Sequence, residues 1–377
     1  MKSPLCEMLG IEFPLFAFSH CRDVVAAVSR AGGMGVFGAT GRTPETIHAE
    51  LNWIDQHVGG KPYGIDILAP ENMATAGETG VTYNSLQSRI PQEHRDFARN
   101  LLAGADVELA VAAHADDAPQ PFDPETAIRT LEAAFEHPIK LIANALGVPP
   151  REMIEMGKAH GVPVAALVGA KEHAIRQVNA GVDILVAQGT EAGGHCGEVT
   201  TMVLVPEVLK AIKPIRDVPV LAAGGIMNGR QMAACMAMGA AGAWTGSVWL
   251  ATVESETSEI FREKMIEASS RDAVRVKSRT GKPARQLRSA WTEAWERSPD
   301  SPGALPMPLM SLVSNDALRS VNRAAEAGNK KARDMVTYFV GQGVGLIDQV
   351  SSAGQVVQGF KEEFLEAVQH MNDLIED

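Results

Sequence analysis

The stretch at 187–197, AQGTEAGGHCG, gathers an amide (Gln188), a carboxylate (Glu191), an imidazole (His195) and a thiol (Cys196) among four glycines. An imidazole is the side chain able to take a carbon-bound proton or hold a developing negative charge near neutral pH. Two more glycine clusters follow, Gly224-Gly225-Ile226 and Gly246-Ser247. Glycines in successive loops let backbone N–H groups point into a common space, and a helix expected to open directly after Gly225 adds a positive dipole end. Together they would form an anion cradle suited to a phosphorylated ligand. Glycines also serve close packing, so one such pair alone is a weak signal.

These residues need a scaffold that brings them together, and the spacing predicts one. Continuously apolar runs stand at 14–18, 35–39, 63–68, 140–145, 163–168, 183–188, 219–223 and 241–245. Unbroken apolar runs suit strands covered on both faces, as in parallel sheets. Between them, 23–31, 44–57, 149–160, 171–180, 206–212 and 228–238 read as crossover helices, several opening at Pro or an acid and closing at Gly. Eight βα units in tandem predict an α/β fold, a (β/α)8 TIM barrel, whose chemistry collects at the C-terminal strand ends and whose phosphates lie at loops seven and eight. The barrel is expected over 1–255 with a helical insertion at about 70–138. A helical subdomain beside the mouth is expected over 256–343, with no further strands, and a C-terminal helix over 344–377 packing back on the barrel. The uncharged window 232–253 is long enough to span a bilayer but is divided by Gly239, Gly242 and Gly246, and reads as a helix end, a turn and a buried strand.

A ring system reaching from such a phosphate across the mouth would meet the ends of runs one, three and six. Gln188 can face a heterocycle edge, Asp66 can accept from a ring N–H, and the backbone near Phe18 can lie against a ring face. This suits a flavin. The first run is followed by no GxGxxG, so a Rossmann-type dinucleotide site is not indicated.

The strings AQGTEAGGHCG, VLAAGGI and GAWTGSVWLAT, with MLGIEFPLFAF and AVSRAGGMGVFGA upstream and SRTGKPARQLRSAW downstream, resemble the nitronate monooxygenase family. These are FMN-dependent TIM barrels related to a flavin-type enoyl-ACP reductase. The resemblance implies noncovalent FMN, with Gln188 near the pyrimidine ring and Gly193 and Gly194 along the flavin. It puts Gly224, Gly225, Gly246 and Ser247 on the phosphate. It also implies that His195 faces a small nitroalkane or nitronate as base or anion-stabilising group, with dioxygen as co-substrate. Two strand ends depart from the family pattern. Ala17-Phe18-Ser19-His20 replaces the usual Pro-Met, and Asp66 replaces the usual Asn. Both bear on which substrate is taken. The rival readings are an NAD(P)H-dependent reductase of an enoyl thioester or quinone, and a flavin-binding protein without redox turnover.

Other residues carry competing readings. His20 and Ser19 either meet substrate or cap the helix after the first run. Cys196 reads as a packed thiol and Glu191 as a loop hydrogen-bond partner. Trp244, Trp249, Trp291 and Trp295 read as core. The basic stretch 271–288 reads as a solvated helical face, the alternative being a site for an anionic tail or a pyridine nucleotide. With 34 basic and 46 acidic side chains in 377 residues, the net charge of −12 argues against a nucleic-acid or anionic-membrane partner. Four cysteines without CxxC spacing suggest neither a zinc site nor a disulfide framework, and no metal is expected. Glu7 and Glu12 interrupt the only N-terminal apolar stretch, so no signal peptide is expected and a cytoplasmic location is. Homodimerisation stays open.

Overall fold

The computed structural model describes residues 1–67, 82–111 and 124–375. Eight parallel strands close into a barrel in the order β1-β2-β3-β4-β5-β6-β8-β9. They are β1 (Leu15–Ser19), β2 (Met34–Gly38), β3 (Tyr63–Asp66), β4 (Leu141–Asn144), β5 (Val164–Val168), β6 (Ile184–Gln188), β8 (Val220–Ala223) and β9 (Gly242–Thr245). The two-residue strand β7 (Gly194–His195) stands outside the barrel wall. Each apolar run falls on its strand to within two residues. The window at 232–253 is divided among a helix end, β9 and a short 3₁₀ turn, and no helix among the described residues is long and apolar enough to cross a membrane.

Because side chains alternate along a strand, each run supplies two packing layers. Phe16, Met34, Val36, Leu141, Ile184, Val186, Leu221 and Trp244 fill the interior, together with Leu5 and Leu9 of the N-terminal helix Pro4–Leu9. Leu15, Ala17, Phe37, Ile65, Leu185, Ala187, Val220 and Ala243 face the outer helices. This parity decides which residues reach the mouth.

Past β9 the sequence expectation fails in one respect. The segment after residue 254 was expected to hold no strand, yet β10 (Ala273–Val276) and β11 (Ala284–Leu287) form an antiparallel hairpin. Val274 and Val276 alternate with Arg275, a half-buried strand pattern whose charges mask it. The basic stretch is therefore a hairpin and its flanks, not a helical face. The C-terminal helix, expected from 344, begins at Ala353, where Ser352 and Gln355 form a capping box. Of the expected insertion, residues 68–81 and 112–123 lie outside the described residues. The helix Gln92–Gly104 packs Ala98 and Leu102 into a second core with Trp291, Trp295, Leu318 and Val321 of the C-terminal segment.

Candidate active site

At the C-terminal strand ends, the interior-facing positions next in the alternation are Phe18, Gly38, Asp66, Leu167, Gln188 and Trp244, and Phe18 and Leu167 pack onto the interior cluster. Phe18 and Trp244 stack with centroids 6.4 Å apart. Gly38 leaves room for both rings, since a Cβ there would stand 2.8 Å from Phe18 Cζ and 2.7 Å from His20 Nδ1, and those side chains would have to shift. The mouth therefore has an aromatic floor with an amide and a carboxyl on its rim. Asp66 is buried, and burial pushes its carboxyl up to about 7. Ala17, with outer parity, faces the helix layer, so only its backbone is at the mouth.

His195 is placed by pairing across a long sequence distance. Strand β7 adds to the hairpin edge, Gly194 opposite Arg285 and His195 opposite Ala284, giving the sheet order β10-β11-β7. Buried Arg285 fastens the loop before it, donating from Nε to Thr190 O at 2.8 Å and from one terminal nitrogen to Ala273 O at 2.7 Å. Gln188 Nε2 donates to His195 O at 3.2 Å. The imidazole Nε2 lies 2.8 Å from Thr280 Oγ1 in the hairpin turn. Burial, and then the Lys282 ammonium, push His195 down to about 4. It is neutral at pH 7.

The expected glycine cradle needs one correction. Gly224 and Gly225 adopt φ of 106° and 73°, a left-handed turn open to glycine. No helix opens directly after Gly225. It begins at Gly229, capped by Asn228, whose side chain accepts from Gln231 N. The Gly229 N–H is taken by Glu363 at 2.9 Å. The helix end therefore serves the C-terminal helix, and the cradle rests on loop amides. The Gly225 and Gly246 N–H groups have no partner among the described residues, and a Cβ at Gly246 would meet open space. These donors suit a phosphate. Ser247 Oγ accepts from Gly341 N at 2.8 Å, leaving its hydroxyl proton free to donate. Gly194, at φ 74°, also faces open space, whereas a Cβ on Gly193 would stand 2.8 Å from the backbone of Val340 and Gly341. Gly193 is thus spent on docking the tail. Glu191 accepts from Thr201 N and lies 3.0 Å from its hydroxyl, a loop partner as expected.

At the end of β1, Ser19 Oγ accepts from Cys21 N, just ahead of the helix Arg22–Arg30, so Ser19 serves the helix entrance. His20 does not cap. Its Nδ1 lies 2.8 Å from Gly38 O and its ring meets Phe18 edge-on at 5.1 Å, with the residue exposed at the rim. Cys196 is half-buried, and the four tryptophans are core residues.

The nitronate monooxygenase family model matches residues 2–363. The chain belongs to the nitronate monooxygenase family. A Mycobacterium tuberculosis protein whose name describes it as a monooxygenase is 49% identical, over all of both chains. A Staphylococcus aureus protein named as a nitronate monooxygenase is 26% identical, over 90% of this chain and 91% of its own. Among solved structures, FabK of Thermotoga maritima aligns over all of both chains at 26% identity with a TM-score of 0.71. A nitroalkane oxidase of Streptomyces ansochromogenes covers 97% of this chain and 99% of its own at 24% identity with a TM-score of 0.78, and shows the same fold.

In this nitronate monooxygenase-family enzyme, sequence reasoning missed Gly38, Thr280 and Gly341, and carried Arg279 and Arg285 only as members of the basic stretch 271–288. All but Gly38 come from the segment after the barrel. The turn signal at 280–283, TGKP, was the readable clue. The basic stretch divides by surroundings. Arg275 faces Glu198 at 3.6 Å and Arg288 faces Glu293 at 3.0 Å, while Arg279 and Arg285 turn inward.

Proposed function

We propose that this enzyme binds FMN across the barrel mouth and oxidises alkyl nitronates with dioxygen, with His195 facing the substrate. The observation that carries the reading is His195 itself, an imidazole kept neutral and held by Thr280 beside a ring-shaped floor and an amide cradle. The residues fit the cofactor: the free N–H groups of Gly225 and Gly246 and the Ser247 hydroxyl suit its phosphate. Phe18 and Trp244 lie below the ring space, with Asp66 and Gln188 at its rim. When bound, FMN supplies an acceptor for an electron or hydride and a route to dioxygen.

A base lowered from 6.5 to about 4 is roughly 3 kcal/mol weaker than a free imidazole. That disfavours taking a proton from a neutral carbon acid and favours a substrate arriving already as the nitronate. The neutral imidazole can still donate its one N–H to a nitronate oxygen. The test is an anaerobic visible spectrum of the purified protein with separate additions of NADH, NADPH and an alkyl nitronate. Bleaching of a yellow protein by nitronate alone is the expected result. The likeness to FabK favours a second reading, an NAD(P)H-dependent reductase, which bleaching by a nicotinamide alone would select. A yellow protein reduced by no donor would leave a flavin binder without turnover.

A further inference from the structure

Arg279 stands in the turn of the β10–β11 hairpin, one residue before the Thr280 that holds His195. Its guanidinium carbon lies 4.9 Å from the Tyr338 ring centre and 5.1 Å from that of Phe339. Phe339 also approaches the His195 ring, at 6.2 Å. Arg279 and His195 thus both approach one aromatic side chain. Two ring faces fix the guanidinium plane but leave its in-plane donors unspent. Its polar contact is a long one, from a terminal nitrogen to Thr337 O at 3.4 Å, and among the described residues no carboxylate lies within 4.0 Å of it. Neighbouring arginines differ. Arg285 has carbonyl acceptors at 2.7 and 2.8 Å, Arg288 has Glu293 at 3.0 Å, and Arg275 has Glu198 at 3.6 Å. Arg279 is half-buried, and desolvation holds its pKa below the ordinary arginine value. Among the described residues, a cation so placed has no anion to meet.

We propose that Arg279 binds the anionic end of the substrate, a carboxylate or a phosphate monoester, beside the Phe339 ring that His195 also approaches. This names the substrate class of the site described above, and rests on that reading for where the reacting group sits. The planar fork matches two oxygens of either group, and the rings hold it at that geometry before the ligand arrives. A neutral nitroalkane offers this residue nothing, so the site is built for a molecule with an acidic end.

The test is calorimetric titration of the cofactor-loaded protein, with succinate and methyl phosphate as the anionic probes and succinamide as the neutral control. Arg279→Met and Arg279→Lys variants are measured beside the wild type, each with a thermal melt to verify folding. At least one anion is expected to bind the wild type, with succinamide silent. The Met variant should bind that anion roughly 10- to 100-fold more weakly, and the Lys variant, keeping charge but losing the fork, should fall between. Binding of succinate alone assigns a carboxylate, and binding of methyl phosphate alone a phosphate ester. Absence of anion binding to the wild type, or equal binding to the wild type and a folded Met variant, overturns the proposal. Binding requires no turnover, so anion binding without bleaching by any nitronate would count against the oxidative reading alone. Bleaching by neutral nitronates without anion binding would count against Arg279 alone.

Discussion

Thr280 Oγ1 and His195 Nε2 lie 2.8 Å apart across 85 residues of sequence. The imidazole proposed to meet substrate is thus fixed by a hairpin that the barrel itself does not contain. His195→Asn is expected to keep cofactor bound while lowering turnover by roughly 10- to 100-fold, the scale of one lost hydrogen bond to an anion. Thr280→Val should lower kcat by about tenfold with a smaller change in KM, and Thr280→Ser should restore it, since the hydroxyl is what holds the ring. Steady-state kinetics beside the visible spectrum checks both, and unchanged turnover in His195→Asn would remove its role.

The pH profile follows from the same residue. Burial and then Lys282 depress His195 to about 4, so the neutral ring persists well below the ordinary histidine range. The acid limb of kcat/KM is expected near 4. Lys282→Met removes a repelling cation, favours the imidazolium and should move that limb upward. The unfolded chain takes up this proton below 6.5 while the native one does not, so His195 also erodes stability as pH falls from 6.5 toward 4. A wild-type limb at 6.5 would contradict the assignment.

Asp66 acts in the opposite sense. Burial raises its carboxyl from 3.8 to about 7, so between those values the native chain keeps a proton that the unfolded chain has lost. Stability should therefore decline as pH rises from about 4 to 7 and level off above. Asp66→Asn is expected to stabilise the protein at pH 8 by up to about 4 kcal/mol and to change little at pH 4. Urea melts at the two pH values decide it, and an equal effect at both would reject the buried neutral acid.

Gly193 and Gly194 should respond differently to alanine. A Cβ at Gly193 would stand 2.8 Å from Gly341 N and Val340 C, backbone atoms that cannot rotate away. Gly193→Ala should cost about 1–3 kcal/mol and expose the segment near 340 to limited proteolysis. Gly194→Ala meets no atom within 4 Å and bears only the left-handed backbone penalty, about 1–2 kcal/mol. Its proteolysis pattern should stay that of the wild type.

The barrel was legible because each strand is a short apolar run buried on both faces, which needs no partner to be recognised. The stretch 44–57 even met its observed helix, Pro44–His57, at both ends, where Thr43 caps and Pro44 opens. The rim residues Phe18, Asp66 and Gln188 were legible too, because position at a strand end implies position at the mouth. Ala17 was not separable from Phe18 without the register that turns one outward. The helix expected over 228–238 stands there, but the assignment of its N-terminal end to the cradle failed because its donor is satisfied by Glu363, 134 residues away. The roles of Arg279, Thr280 and Arg285 were hidden for a similar reason. The hairpin that carries them has two charged strands of four residues each, one of which pairs with β7. Such long-range pairing leaves no period in the sequence.

The β7–β11 pairing also orders events in time. During synthesis the barrel strands, ending at Thr245, emerge well before Ala284, Arg285 and Gly341. The C-terminal helix that covers the barrel wall with Val357, Phe360 and Phe364 emerges later still. The edge that orders the loop bearing His195 and the last cover of the barrel thus both arrive after all eight strands have been made.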